Sequence, residues 1–240
     1  MGAPRTLPGD PHPDRVERDI WWSLGVATLG RIFRLFFRLR FIGGENIPAA
    51  GPAILAANHV SVLDPIAIAL GPSRRGRTVR FLAAEEAFRW PLVGWGLRKI
   101  RQIPIRRGAR DVRALERVAS VIRRGALAGI FPEGRVSEDG RLQRGRRGAA
   151  RIALAAGVPV IPVAVWGAHV RWPRRGLRLR RPWRPRMAVV IGRPIPAVGD
   201  PLDAAAVAEL TDQIMREIGR LLPIAQANGD SPARKLGHPS

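Results

Sequence analysis

Apolar runs and helical stripes succeed one another along most of this chain. Residues 53–57 (AILAA) form a short unbroken apolar run, which predicts a buried strand. Residues 65–70 read as a short helix, 79–83 as a strand, 91–98 as a helix and 100–105 as a strand. Over 111–124, Val112, Leu115, Val118, Ala119 and Ile122 share one helical face. Residues 126–131 predict a strand that stops at Pro132. The Ala-rich stretch 148–156 predicts a helix ended by Gly157. Strands follow at 158–165 and 187–191. Asp200 is placed to cap a last helix with Val207, Leu210, Ile214, Ile218 and Leu221 on its buried face. Strands alternating with helices predict a single α/β domain, a mixed and mostly parallel sheet flanked by helices. In such sheets sites gather in the loops after the strands.

The first forty residues follow another pattern. Residues 20–30 are uncharged and contain Trp21 and Trp22, and Arg31 interrupts them. That run is too short to span a bilayer, which takes about 20 apolar residues. Arg31, Arg34 and Arg38 then fall at i, i+3 and i+7, while Ile32, Phe33, Leu35, Phe36 and Phe37 cover the rest. A basic stripe, an apolar face and interfacial tryptophans predict an amphipathic helix over 16–40 lying in a membrane surface. The alternative is a helix docked on its own domain. Residues 1–15 are rich in Pro and Gly, lack an apolar core and do not read as a signal peptide. Residues 1–15 and 225–240 are expected to be disordered tails around a folded domain at 41–224.

Charge narrows the partners. The formal net charge is +22, which favours an acidic membrane surface, phosphorylated substrates or nucleic acid. Nearly all the cations are arginine; Lys99 and Lys235 are the only lysines. Abundant Arg, Ala, Gly and Pro together also fit a compositional bias, which accounts for the excess charge as well as selected contacts do. The arginines are spread along the chain, tyrosine is absent and no nucleic-acid motif is present, so nucleic acid is not an expected partner. The chain has no cysteine, which excludes disulfides, thiolate catalysis and Cys-ligated zinc.

Chemistry concentrates after the run AILAA, in Asn58-His59-Val60-Ser61-Val62-Leu63-Asp64. A histidine takes a proton from a hydroxyl near neutral pH. Asp64, five positions on at a helix start, can fold back to orient the ring and stabilise its charged form. Alone, this spacing is a weak signal; the bland reading is a capping aspartate beside a loop histidine. His12 and His238 lie in the tails, and His169 has no nearby acid. With no second histidine near His59, no metal centre is expected. Phe131-Pro132-Glu133-Gly134-Arg135 sets a carboxylate and free amides at a strand end, though such turns are common. Ile103-Pro104-Ile105-Arg106-Arg107 ends in two arginines, which suit a phosphate or a solvated strand end equally. The basic stretch 171–186, with Trp172, Pro173 and Trp183, suits lipid headgroups, coenzyme A phosphates or plain solvation.

Four blocks in order sharpen this. NHVSVLD resembles the first block (His, four residues, Asp) of the glycerol-phosphate and lysophosphatidate acyltransferases. QIPIRR, FPEGRVSEDGRL and VPVIPVAV are similar to that family's second, third and fourth blocks, and RFIGGENIPAAGPAILAANH to its lead-in. The likeness runs over residues 40 to 195, and four ordered blocks are far more specific than one. The resemblance implies transfer of an acyl group from a thioester to the sn-2 hydroxyl of 1-acylglycerol-3-phosphate, giving phosphatidic acid. It implies His59 as general base, Asp64 as its orienting partner and no acyl-enzyme, with nearby amides or block-four backbone on the oxyanion. It places Arg107 on the acceptor phosphate, Glu133 and Gly134 at the glycerol, and Asn58, Ser61 and Pro162 around the pocket. The family's third block usually continues Thr, Arg, Ser after FPEG; here it reads Arg135, Val136, Ser137. Either Arg135 substitutes for the shifted arginine or Arg146 and Arg147 take the phosphate, which leaves the acceptor open to another lysolipid, glycerol-3-phosphate or an amino-acid lipid. No bound cofactor is expected. The co-substrate is acyl-CoA or acyl carrier protein, the latter also a candidate partner. The expected location is peripheral or monotopic, on the cytoplasmic face of the cell membrane.

Overall fold

The strands β1 (Arg38–Ile42), β2 (Ala53–Ala57), β3 (Val79–Ala84), β4 (Ile103–Ile105), β5 (Leu127–Ile130), β6 (Val160–Trp166) and β7 (Arg186–Ile191) join into one sheet. The computed structural model describes residues 20–106, 112–172, 176 and 184–229. Across the sheet the order is β1-β7-β6-β2-β5-β3-β4. Every neighbouring pair is parallel except β6 with β7, so the sheet is mixed and mostly parallel, as expected.

Helices cover both faces, which is why the central strands are apolar on both sides. Helices α1 (Ile20–Phe36) and α2 (Asp64–Ser73) pack with Leu55, Phe81, Val163 and Val189 on one face. Helices α4 (Val112–Arg123), α5 (Gly148–Ala156) and α6 (Ala204–Gly229) pack with Ile54, Ala128 and Val160 on the other. A shorter helix, α3 (Pro91–Lys99), follows β3. Strand β2 is buried along its whole length, and its alanines let both helical layers approach closely. Gly129 of β5 sits opposite Phe81 of β3, and a Cβ there would lie 2.3 Å from the Phe81 ring. The missing side chain lets that ring lie across β5.

The first helix is shorter than the amphipathic stretch expected over 16–40. It ends at Phe36, and Phe37 N–H still bonds to Phe33 C=O. Residues 38–42 instead alternate, with Arg38 and Arg40 exposed and Leu39 and Phe41 inward, and they pair in parallel with β7. Arg38 therefore opens a strand rather than extending a helical stripe. Helix α1 is docked on its own domain through Trp22, Gly30, Phe33 and the following Phe37, yet its other side exposes Ile20, Trp21, Leu24, Ile32 and Leu35. No helix among the described residues is long and apolar enough to cross a membrane.

Two other boundaries moved for visible reasons. Strand β4 begins at Ile103 because residues 100–102 form a turn in which Arg101 has φ 52°. Helix α6 begins after Asp203, whose carboxylate accepts Ala205 N–H at 2.8 Å; Asp200 instead accepts Leu202 N–H in the preceding turn. That helix continues to Gly229, past the domain end expected at 224. Ala225 and Gly229 are buried, and a Cβ on Gly229 would lie 2.8 Å from the Trp166 carbonyl. Residues 1–19 and 230–240, which hold the rest of the expected tails, lie outside the described residues.

Candidate active site

The carboxyl ends of β2, β5 and β6 converge on one edge of the sheet, and the histidine loop leaves there. Asn58 continues the ladder with its side chain. Its Oδ1 accepts Val165 N–H at 2.7 Å and its Nδ2 donates to Val165 C=O at 3.0 Å. A side-chain amide thus mimics one more peptide of β2 and fixes how the chain exits toward His59.

The main chain of His59 is held on both sides. Its N–H donates to Glu133 Oε1 at 2.8 Å, and its C=O accepts Ser137 N–H at 2.7 Å. Its ring stacks on Phe131, centroids 3.9 Å apart and planes at 16°. Phe131 in turn stacks on Phe81 at 5.6 Å. The ring cannot swing freely with one face covered.

Asp64 begins α2, and its side chain is fully buried. Its Oδ2 accepts Val60 N–H and Ser61 N–H, each at 2.7 Å, and faces His59 Nδ1 at 3.1 Å. These donors offset the cost of burying a carboxylate. The geometry assigns the Nδ1 proton to the side facing Asp64. The Nε2 edge then carries the lone pair, on a side chain 12% exposed. Ser61 supplies no nucleophile to this pair. Its hydroxyl donates to the Trp172 carbonyl at 2.5 Å and accepts Leu63 N–H at 3.2 Å. The arrangement can serve as a base oriented by a carboxylate, and among the described residues no free nucleophile lies beside it.

Glu133 braces the two loops. Its Oε1 takes the His59 amide and its Oε2 takes the Gln143 amide at 2.9 Å, and the residue is almost fully buried. Burial raises its pKa above the ordinary value, against the lowering effects of the two amides and of His59. The folded chain therefore binds that proton more readily than the unfolded chain does. The stability that comes with it is fully present below the ordinary glutamate pKa and is lost as pH rises through the folded value. Glu133→Gln carries no such proton and leaves one amide facing a donor, a loss of about 1–3 kcal/mol. Urea unfolding across this pH window should give a flatter stability profile for the variant than for the wild type. Parallel profiles would show that Glu133 does not titrate as described.

Gly134 has φ 70°, a conformation that suits glycine. A Cβ there would lie 3.0 Å from Arg146 Nε, so the Arg146 side chain packs over this glycine. The Arg146 amide bonds to Pro132 C=O at 2.8 Å, which ties the far end of the loop back to its start. Arg135, Arg146 and Arg147 are all exposed. Arg107 lies outside the described residues, as do 173–175 and 177–183 of the basic stretch.

Pro162 does not join the site. It pairs with Ala56 in the middle of β6, on the α6 side of the sheet, whereas Phe131 and its stacked His59 lie on the α1–α2 side. Its carbonyl accepts Gly192 N–H at 2.8 Å, and its missing donor falls where β7 has already ended. Most of the nearby amides expected to hold an oxyanion are also spoken for. Those of His59, Val60, Ser61, Leu63 and Gly134 all donate within the protein, and block-four backbone is engaged in the sheet. Phe131 as the ring under His59, Ser137 as the carbonyl anchor and Gly129 as the space for Phe81 escaped sequence reading. Only the block containing Phe131 and Ser137 was legible as a signal.

An apolar cavity opens next to the site. Trp22, Val26 and Leu29 of α1, Ile66 of α2, Phe81 and Leu97 are among its walls. Phe81 places one wall two stacked rings from His59. Among the described residues no three His, Asp or Glu side chains converge as a metal centre requires.

Residues 38–166 match the family described as Acyltransferase. The chain is 32% identical over 231 residues to the lyso-ornithine lipid O-acyltransferase of Pseudomonas aeruginosa, covering 88% of this chain and 81% of that one. It is 29% identical over 173 residues to the chloroplastic 1-acyl-sn-glycerol-3-phosphate acyltransferase of Arabidopsis thaliana, covering 70% of this chain. The matched region spans only 46% of that plant protein. The crystal structure of the 1-acyl-sn-glycerophosphate acyltransferase PlsC from Thermotoga maritima is similar at a TM-score of 0.64 and 28% identity, covering 86% of this chain and 84% of that one.

Proposed function

This chain belongs to the acyltransferase family, and from that premise we propose that it moves a fatty acyl group from an acyl thioester to the sn-2 hydroxyl of 1-acylglycerol-3-phosphate, giving phosphatidic acid. The observation that carries this reading is the His59 Nδ1–Asp64 Oδ2 contact at 3.1 Å, with no free nucleophile beside it among the described residues. His59 Nε2 takes the acceptor hydroxyl proton as the oxygen attacks the thioester carbonyl. Asp64 stabilises the imidazolium. The tetrahedral intermediate collapses with loss of the thiolate, which recovers the proton from His59. The amides of Arg135 and Val136 stand between the committed Gly134 and Ser137 amides and make no hydrogen bond among the described residues. They are donors available for the oxyanion. The acyl chain enters the apolar cavity behind Phe81. Glu133 acts by holding His59 in register, and Gly134 by letting Arg146 cross the loop.

The acceptor phosphate falls to Arg107, by the family likeness, and to Arg146 with Arg135 and Arg147 near the loop. Arg107→Ala and Arg146→Ala should each raise the acceptor KM about tenfold or more, the worth of one charge-assisted contact, with the donor KM unchanged. An acceptor KM that stays at the wild-type value removes that arginine from the phosphate site.

A second reading has a specific observation behind it. The lyso-ornithine lipid enzyme matches 81% of its own length, against 46% for the plant enzyme, and the arginine after Gly134 is displaced. The acceptor in that reading is an amino-acid lysolipid. Initial rates with lysophosphatidate, lyso-ornithine lipid and glycerol-3-phosphate, each with acyl-CoA and acyl carrier protein donors, separate the two. Lysophosphatidate should give the highest kcat/KM; a clear preference for the ornithine lipid selects the second reading. We place the chain on the cytoplasmic face of the cell membrane, held peripherally by the exposed side of α1.

A further inference from the structure

We propose that α3 is a second membrane-inserting element, which together with α1 forms one bilayer-facing surface that docks on an anionic leaflet over the apolar cavity. This rests on the reading of a lipid substrate. Trp90 is 67% exposed, Leu92 81%, Val93 47% and Trp95 49%, a density of apolar side chains that water does not favour. Ile20, Trp21 and Leu24 are exposed alongside on α1. The two helices touch at one end. Trp21 meets Trp95 edge-on at 5.7 Å, and a Cβ on Gly25 would touch Ile100 at 3.4 Å. Gly94 seats α3 against the turn before it, because a Cβ there would lie 2.1 Å from the Phe88 carbonyl.

Charge selects the occupant. Neither α1 nor α3 contains an acidic residue, while Arg31 and Arg34 lie on α1 and Arg98 and Lys99 end α3. The Lys99 ammonium sits 4.7 Å over the Trp21 ring, a cation on an aromatic face at the border of the apolar patch. Tryptophans flanked by such cations suit the headgroup layer of an acidic bilayer. The same two helices wall the cavity through Trp22, Val26, Leu29 and Leu97. Insertion of this surface would let acyl chains pass from the leaflet into the protein without crossing water.

Flotation of the full chain with phosphatidylcholine vesicles, with and without phosphatidylglycerol, tests this. Trp90→Ser/Leu92→Ser changes only strongly exposed side chains outside the cavity and the site. The wild type should bind the phosphatidylglycerol vesicles, and the double variant should bind them roughly a hundredfold more weakly. Acyl transfer by the variant in detergent micelles should stay at the wild-type level, which shows that it is folded. Unchanged vesicle binding by the active variant overturns the proposal. So does a wild-type dimer that the substitutions dissociate without altering vesicle binding. Failure of the substrate reading would appear separately, as a wild type that binds vesicles yet transfers no acyl group in micelles.

Discussion

Replacing His59 by alanine is expected to lower kcat for acyl transfer by about a thousandfold, within the range for loss of a general base. The fold should survive. The bonds that hold this residue to Glu133 and Ser137 come from its main chain, which alanine retains. What is lost is the stack on Phe131, about 1–3 kcal/mol including its buried area, and the Nδ1 contact with the Asp64 carboxylate, which keeps its bonds from the Val60 and Ser61 amides. Circular dichroism and a urea midpoint establish folding, and single-turnover rates then report the chemistry. A folded variant within tenfold of wild-type turnover would remove His59 from the mechanism. An unchanged KM with a collapsed kcat places the loss in the transition state.

Asp64 should show a larger effect on stability than His59, and the two standard substitutions should differ. Asp64→Ala strips the acceptor from the Val60 and Ser61 amides and from His59 Nδ1, all at a fully buried position. Stranding buried donors costs about 1–3 kcal/mol each, so a destabilisation of about 3–5 kcal/mol is expected, with kcat down at least a hundredfold. Asp64→Asn keeps an oxygen where the two amides need it and removes only the charge. It should recover most of the stability and little of the activity. Denaturant midpoints and kcat measured on both variants test this. If Asn restores activity together with stability, Asp64 is a loop clamp and the imidazolium does not depend on its charge.

These double duties mark where the sequence stopped being informative. Strand β2 was legible because both its faces are buried, so AILAA needs no periodicity to stand out. The loop after it was legible because the edge of a parallel sheet puts strand ends and helix starts together. The direction in which a carboxylate points was not. Glu133 is expected at the glycerol from its block, and in the structure it faces two backbone amides, a choice made by loop packing across 74 residues. Residues 38–40 were misread because a two-residue alternation of arginine with Leu39 and Phe41 also fits a helical stripe over so short a stretch. Only β7, about 150 residues away, decides between them. Pro162 was assigned to the pocket from its block, whereas strand alternation turns it to the other side of the sheet. The same alternation carries His59 and Phe131 to one face, and nothing local to either residue reveals that they stack.

The consequence for the mechanism is a division of labour. Asn58, Glu133 and Ser137 set the path of the backbone, Phe131 covers one face of the ring, and Asp64 orients its Nδ1 edge. In the proposed mechanism these groups act through His59, so their variants should lose kcat and stability with modest change in KM. The arginines around Gly134 should behave in the opposite way.

The most direct test supplies acyl thioester and lysophosphatidate to the purified wild-type chain and to folded His59→Ala, and identifies the products by mass. Phosphatidic acid and free thiol are expected from the wild type, with no acyl group attached to the protein during turnover, and about a thousandth of that rate from the variant. Equal phosphatidic acid from both proteins, or an acylated side chain on the wild type, contradicts direct transfer by a His59 base.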